Sequence, residues 1–189
     1  MPQYLSEDGK AKAVIWAGSY NGVQALTPPP DSWASRPTSN VGIWYVTLQS
    51  GGTFTLPGVE TTAVVNRVAY FIEGNGLQIN GENVKTFSAA TLHAAESAEF
   101  TNPSTEEIQV LILQGSPIGE PVAQHGPFVM NTRTEIEQAF ADYRRTQFGG
   151  WPWPEDAMVF PREKGRFALL NGVENVPPST VEVNAEGNN

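Results

Sequence analysis

Few side chains in this 189-residue sequence have reactive potential. There are two histidines, His93 and His125, and no cysteine. Imidazoles ligate transition metals or move protons near neutral pH. A catalytic iron site needs carboxylate help beside its imidazoles, and two histidines alone do not make one. No Gly-x-Ser-x-Gly occurs, so there is no elbow for an acyl-transfer nucleophile. Without cysteine, neither a disulfide framework nor a thiolate zinc site can form. His93 reads as a surface or turn histidine. His125 precedes Gly126-Pro127 and reads as structural, organising that turn through a hydrogen bond. Arg67 is the unusual residue. Alternation along Asn66–Glu73 sets Arg67, Ala69, Phe71 and Glu73 on one face and Val68, Tyr70 and Ile72 on the other. If the Arg67 face is the inner one, its guanidinium needs partners, because an isolated buried charge is costly. The expected partner is a carboxylate, Glu73 or Glu60. The sharper alternative is a small-anion pocket at Arg67.

Composition narrows the classes. The net charge is −9, and the 11 basic residues are dispersed, with Arg144-Arg145 the only adjacent pair. A nucleic-acid binder presents a basic face to the phosphates, so direct nucleic-acid binding is not expected. No apolar run is long enough to span a bilayer, and no signal-peptide core follows the N-terminus, so a soluble cytoplasmic protein is expected. The 18 Gly and 15 Pro fit a turn-rich β protein.

The elements that would position these residues are mostly strands. Residues 1–12 are polar and read as a loosely held arm. Ala13–Gly18 is a strand, with Asn21-Gly22 as a turn. Thr27–Pro37 is too rich in proline to pair centrally. Val41–Leu48 and Ile108–Leu113 are apolar on both faces, as strands between two layers would be. Thr53–Leu56 and Asn66–Glu73 are further strands. Leu77–Ile79, Asn80-Gly81 and Glu82–Val84 form a hairpin, since Asn-Gly suits both positive-φ positions of a type I′ turn. One amphipathic helix is expected over about 132–148. Thr132 and Glu135 would form its capping box, Ile136, Ala139, Phe140 and Tyr143 its apolar face, and Gly149-Gly150 its stop. The segment 151–189 reads as a Pro/Gly-rich tail, pinned by burial of Trp151–Pro154 and mobile over Val173–Asn189.

Several separated motifs carry a family resemblance. LQGSPIGEPVAQHGPFVMNTRTEIEQAFADYRRTQFGGWPWP at Leu113–Pro154 resembles the closing segment of pirins, which are bicupin proteins. PPPDSW at Pro28–Trp33 and NRVAYFIEGNGLQING at Asn66–Gly81 resemble the body of the pirin C-terminal half, and GRFA at Gly165–Ala168 the tail of long bacterial pirins. The resemblance implies an all-β fold: a cupin double-stranded β-helix, or jelly-roll-like barrel, over residues 13–150 with one C-terminal amphipathic helix. Met1-Pro2 falls about where the second half of a pirin begins, which fits a short homologue, a half-length gene product or an excised piece.

The resemblance also implies what to look for at the metal. Metal-binding cupins place two His and one Glu around a first hairpin and a third His on a later strand. Matched by motif, the Glu position falls on Arg67, counted back from Gly74. The paired His positions fall within Thr61, Thr62 and Ala63, and the third on Ala98, counted back from Asn102. No metal ligand of the family carries over. In pirins the iron site lies in the N-terminal cupin, so no cofactor is expected in this chain. The expected role is a non-catalytic structural module whose partner is an N-terminal pirin cupin or another copy of itself. Two alternatives stay open. One is a share in a quercetin 2,3-dioxygenase-like enzyme or a transcription cofactor. The other is a metal-free cupin holding a small-molecule ligand, unless Trp44, Tyr45, Phe54, Tyr70 and Phe71 fill the interior.

Overall fold

The computed structural model describes residues 1–151 and 153–177. Its strands, in chain order, are β1 (Gln3–Leu5), β2 (Ala11–Ala17), β3 (Ser19–Tyr20), β4 (Val23–Gln24), β5 (Gly42–Leu48), β6 (Thr53–Leu56), β7 (Asn66–Glu73) and β8 (Gln78–Ile79). There follow β9 (Glu82–Asn83), β10 (Ala89–His93), β11 (Ala98–Thr101), β12 (Ile108–Gly115), β13 (Ala123–His125) and β14 (Phe128–Met130). Helix α1 (Arg133–Thr146) comes next, then β15 (Ala168–Leu170) and β16 (Val173–Asn175). The chain divides into two compact units between Glu120 and Pro121.

In the first unit, one sheet has the strand order β1-β2-β5-β12-β7-β10 and a second the order β6-β11-β8-β9. Both contribute to one apolar core, as an all-β cupin requires. Ile15, Val46, Phe71 and Ile112 enter it from the larger sheet, and Phe54 and Phe100 from the smaller, all six nearly inaccessible. Of the five large side chains expected to fill the interior, Trp44, Phe54 and Phe71 do so. Tyr45 and Tyr70 lie on the alternate positions and point outward, with Tyr70 40% exposed.

Close packing fixes two glycines. A Cβ at Gly42 would fall 2.0 Å from the Trp44 ring, whose indole N–H donates to the Ser19 carbonyl. Gly74 holds φ at +96°, and a Cβ there would meet the Glu107 carbonyl at 2.7 Å. The turn at Asn80-Gly81 has both residues at positive φ, as its type requires.

Other expectations change. Residues 3–5 are no loose arm: they pair with β2, Tyr4 opposite Ala13, and the Tyr4 ring packs edge-on against Tyr20. The strands read as apolar on both faces, β5 and β12, bury only alternate residues; their other faces are half-buried or exposed. Trp151 is 57% exposed rather than buried, stacking edge-on against Trp153 and donating its indole N–H to the Glu155 carbonyl.

In the second unit α1 begins as expected. The Thr132 hydroxyl accepts from the Glu135 N–H, and the Glu135 carboxylate accepts from the Thr132 N–H at 2.7 Å. The helix ends earlier than the glycines predict, because Gln147 and Phe148 both turn to left-handed backbone before Gly149. Ile136 and Ala139 are buried, and Phe140 packs edge-on against Phe128 of the β13–β14 hairpin. Val173–Asn175, expected to be mobile, pairs with β15; the tail beyond Pro177 lies outside the described residues. Among the described residues, no helix is long and apolar enough to cross a membrane.

Candidate functional site

The residues matched to a cupin metal site do not assemble one. Thr61, Thr62 and Ala63 lie on an exposed loop, where the Thr61 hydroxyl accepts from the Ala63 N–H. Ala98 is buried on β11 opposite Leu56. His93 is exposed at the end of β10, opposite Asn66. His125 lies in the second unit, where its ring meets Phe140 edge-on at 5.3 Å; ring packing takes the place of the expected turn hydrogen bond. Among the described residues no three His, Asp or Glu could hold a metal ion together. This donor set does not fit an iron site.

Arg67 stands at the centre of this region. The alternation of β7 does turn it inward, and it is 1% exposed. Among the described residues no carboxylate pairs with it. Nε donates to the Gln114 side-chain oxygen at 2.8 Å, Nη1 to the Glu96 carbonyl at 3.1 Å and Nη2 to the Pro57 carbonyl at 2.8 Å. The expected salt bridge to Glu73 or Glu60 is therefore replaced by three neutral acceptors. Gln114 comes from the directly opposed position on β12, so sheet register aligns the first bond. The two carbonyls come from segments next to β6 and β11 of the other sheet. One guanidinium thus ties the two sheets together from within. Its planar fork suits three acceptors in different directions, which an ammonium group does not. Burial pulls its pKa below the ordinary arginine range. It stays cationic at neutral pH, since arginine does not deprotonate there.

Two clefts open near this strut. One, of about 340 Å³, lies between β10 and the β8–β9 hairpin; the other, of about 280 Å³, lies beside the Val59–Val65 loop. His93 and Glu96 line both, and Arg67 is among the lining residues of neither. What the two clefts share is the exposed side chains of His93 and Glu96, and the nearby Arg67 cation has each of its three nitrogens bound to a protein acceptor.

Sequence reasoning missed Asn102 as a determinant. It is fully buried. Its amide donates to the Leu48 and Glu106 carbonyls at 2.9 and 2.7 Å, and its Oδ1 accepts from the Ser104 N–H and hydroxyl at 2.9 and 2.7 Å. The signal was the Asn-Pro-Ser run, which favours an Asx turn.

Comparison with known proteins places this geometry. Residues 43–149 match the family model described as the pirin C-terminal cupin domain. A Pseudomonas aeruginosa protein whose name provisionally assigns it as a quercetin 2,3-dioxygenase is 32% identical over 143 residues, covering 74% of this chain and 47% of that protein. Pirin of Homo sapiens is 37% identical over 68 residues, covering 36% of this chain and 23% of that protein. Among solved structures, a quercetin 2,3-dioxygenase from Acinetobacter baumannii superposes with a TM-score of 0.62 at 24% identity, covering 78% of this chain and 47% of that one; at this identity the likeness shows the fold alone. The chain spans about half the length, or less, of these relatives.

Proposed function

The chain belongs to the pirin family as a C-terminal cupin domain, and from that premise we propose that it works as a non-catalytic cupin module paired with a second cupin. The observation that carries this reading is the Arg67 strut. A buried guanidinium bound to three carbonyl-type acceptors fills the position matched to a metal-binding carboxylate. A guanidinium repels a metal cation and offers it no lone pair. In this reading any dioxygenase chemistry belongs to a partner cupin that carries the iron. This chain supplies a rigid barrel and a surface. Support comes from the relatives, of whose own length the matched part of this chain covers 47% and 23%.

The test is an activity assay with quercetin and oxygen. The purified chain alone is expected to show no turnover above buffer. Mixing it with the separately expressed N-terminal half of a pirin relative should raise that half's activity or stability. Turnover by the chain alone would contradict the proposal.

A further inference from the structure

We propose, resting on the pairing reading, that the outward face of the six-stranded sheet joins a second copy of this chain about a two-fold axis parallel to its strands. The outward side of a solvated antiparallel sheet is normally polar. Here the registers align Val14, Tyr45, Leu111 and Tyr70 in one row across β2, β5, β12 and β7. The next row aligns Ile43, Leu113 and Val68. Trp16 projects beside them at a bulge in β2 and stacks flat on Tyr45, with rings 5.8 Å apart and 8° from parallel. Trp16, Tyr70 and Leu113 are 45%, 40% and 36% exposed. Two adjacent apolar rows across four strands form a contiguous patch, not scattered surface hydrophobes.

The third row supplies the argument for a second copy. It runs Lys12, Thr47, Gln109, Glu73; the register shift between Gln109 and Val110 breaks the alternation that would have set the exposed Glu73 on the Arg67 face. A cation stands on β2 and an anion on β7, with neutral residues between. Strands β5 and β12 are the middle pair of the sheet order. A two-fold axis lying in the interface between them, parallel to the strands, sets β2 of one copy over β7 of the other. Lys12 then meets Glu73 twice, Val14 meets Tyr70 and Tyr45 meets Leu111. A two-fold axis across the strands would instead carry Lys12 toward the apolar Trp16 end. The face is therefore self-complementary about one axis, as an isologous interface requires. Its apolar rows are bounded on one side by a polar row, as at the edge between the core and rim of an interface. Six strands about 4.8 Å apart give a face on the order of 25–30 Å wide, the scale of a standard interface of roughly 800 Å² per partner.

The test is sedimentation equilibrium of the full chain. The wild type is expected at twice its 20.5 kDa mass. Lys12→Glu and Glu73→Lys should each weaken association about tenfold or more, since each sets two like-charge contacts, and the double exchange should restore it. Leu113→Glu should give monomer that no charge exchange rescues. Circular dichroism checks that each variant is folded. A wild type that stays monomeric at about 200 μM, a concentration far above the Kd of most specific dimers, would overturn this interface. So would single reversals without effect, or a double exchange that fails to restore. None of those outcomes touches the pairing with a metal-bearing cupin, which the mixing assay reads separately.

Discussion

Replacing Arg67 by Met should destabilise the first unit by about 2–4 kcal/mol. Three hydrogen bonds from a charged donor are lost, each worth about 1.5–3 kcal/mol, and three acceptors at part-buried positions lose their donor. Against this, the mutation removes the cost of burying a cation, which is several kcal/mol. The bonds outweigh the burial because all three nitrogens are engaged and the two carbonyls belong to the segments that lead out of β6 and into β11, so that one side chain links the two sheets. Arg67→Lys should fare little better: one ammonium keeps the charge and cannot span three acceptors. The measurement is urea unfolding followed by tryptophan fluorescence. At roughly 4 °C per kcal/mol for a domain of this size, Tm should fall by about 8–16 °C. A loss under about 0.5 kcal/mol, the range of ordinary surface substitutions, would mean the strut is idle.

Asn102→Ala should cost a similar amount, about 2–4 kcal/mol, with a more local signature. The amide bonds tie β5, through the Leu48 carbonyl, to the turn between β11 and β12. Truncation leaves the buried Leu48 carbonyl, the Glu106 carbonyl and the Ser104 N–H without that partner. Asn102→Asp should be worse than Ala, because an oxygen then faces both carbonyls where a donor stood. Hydrogen exchange read by mass spectrometry should show deprotection concentrated at residues 49–52 and 101–107. Uniform deprotection across both sheets would contradict a local role.

The long strands and the helix were legible because local signals agree with the fold. The strands Thr53–Leu56 and Asn66–Glu73 fall where alternation and turn residues put them, and Asn80-Gly81 makes its turn. Strands β10 and β11 were not legible: AATLH and AEFT are rich in alanine and weak in β-branched residues, so tertiary pairing with β7 and β6 decides their state. The inward direction of Arg67 could be read from period two. Its partners could not. Glu96 and Pro57 act through backbone carbonyls, which no side-chain pattern encodes, and Gln114 is brought opposite only by the β7–β12 register. The apolar outward rows are visible in the sequence as strands apolar on both faces, a pattern that predicts a second covering layer. The structure shows instead an outer face with exposed Trp16, Tyr70 and Leu113.

The central proposal is that this chain works without a catalytic metal of its own, because a guanidinium bound through all three nitrogens stands at the position matched to a ligand. It is tested most directly by plasma mass spectrometry of the protein purified from iron- and zinc-supplemented medium and dialysed. The expected content is below about a tenth of an equivalent of any transition metal, since high-affinity sites need several converging donors. A full equivalent of iron, copper or nickel surviving dialysis would contradict it and direct attention to His93, Glu96 and the clefts they line.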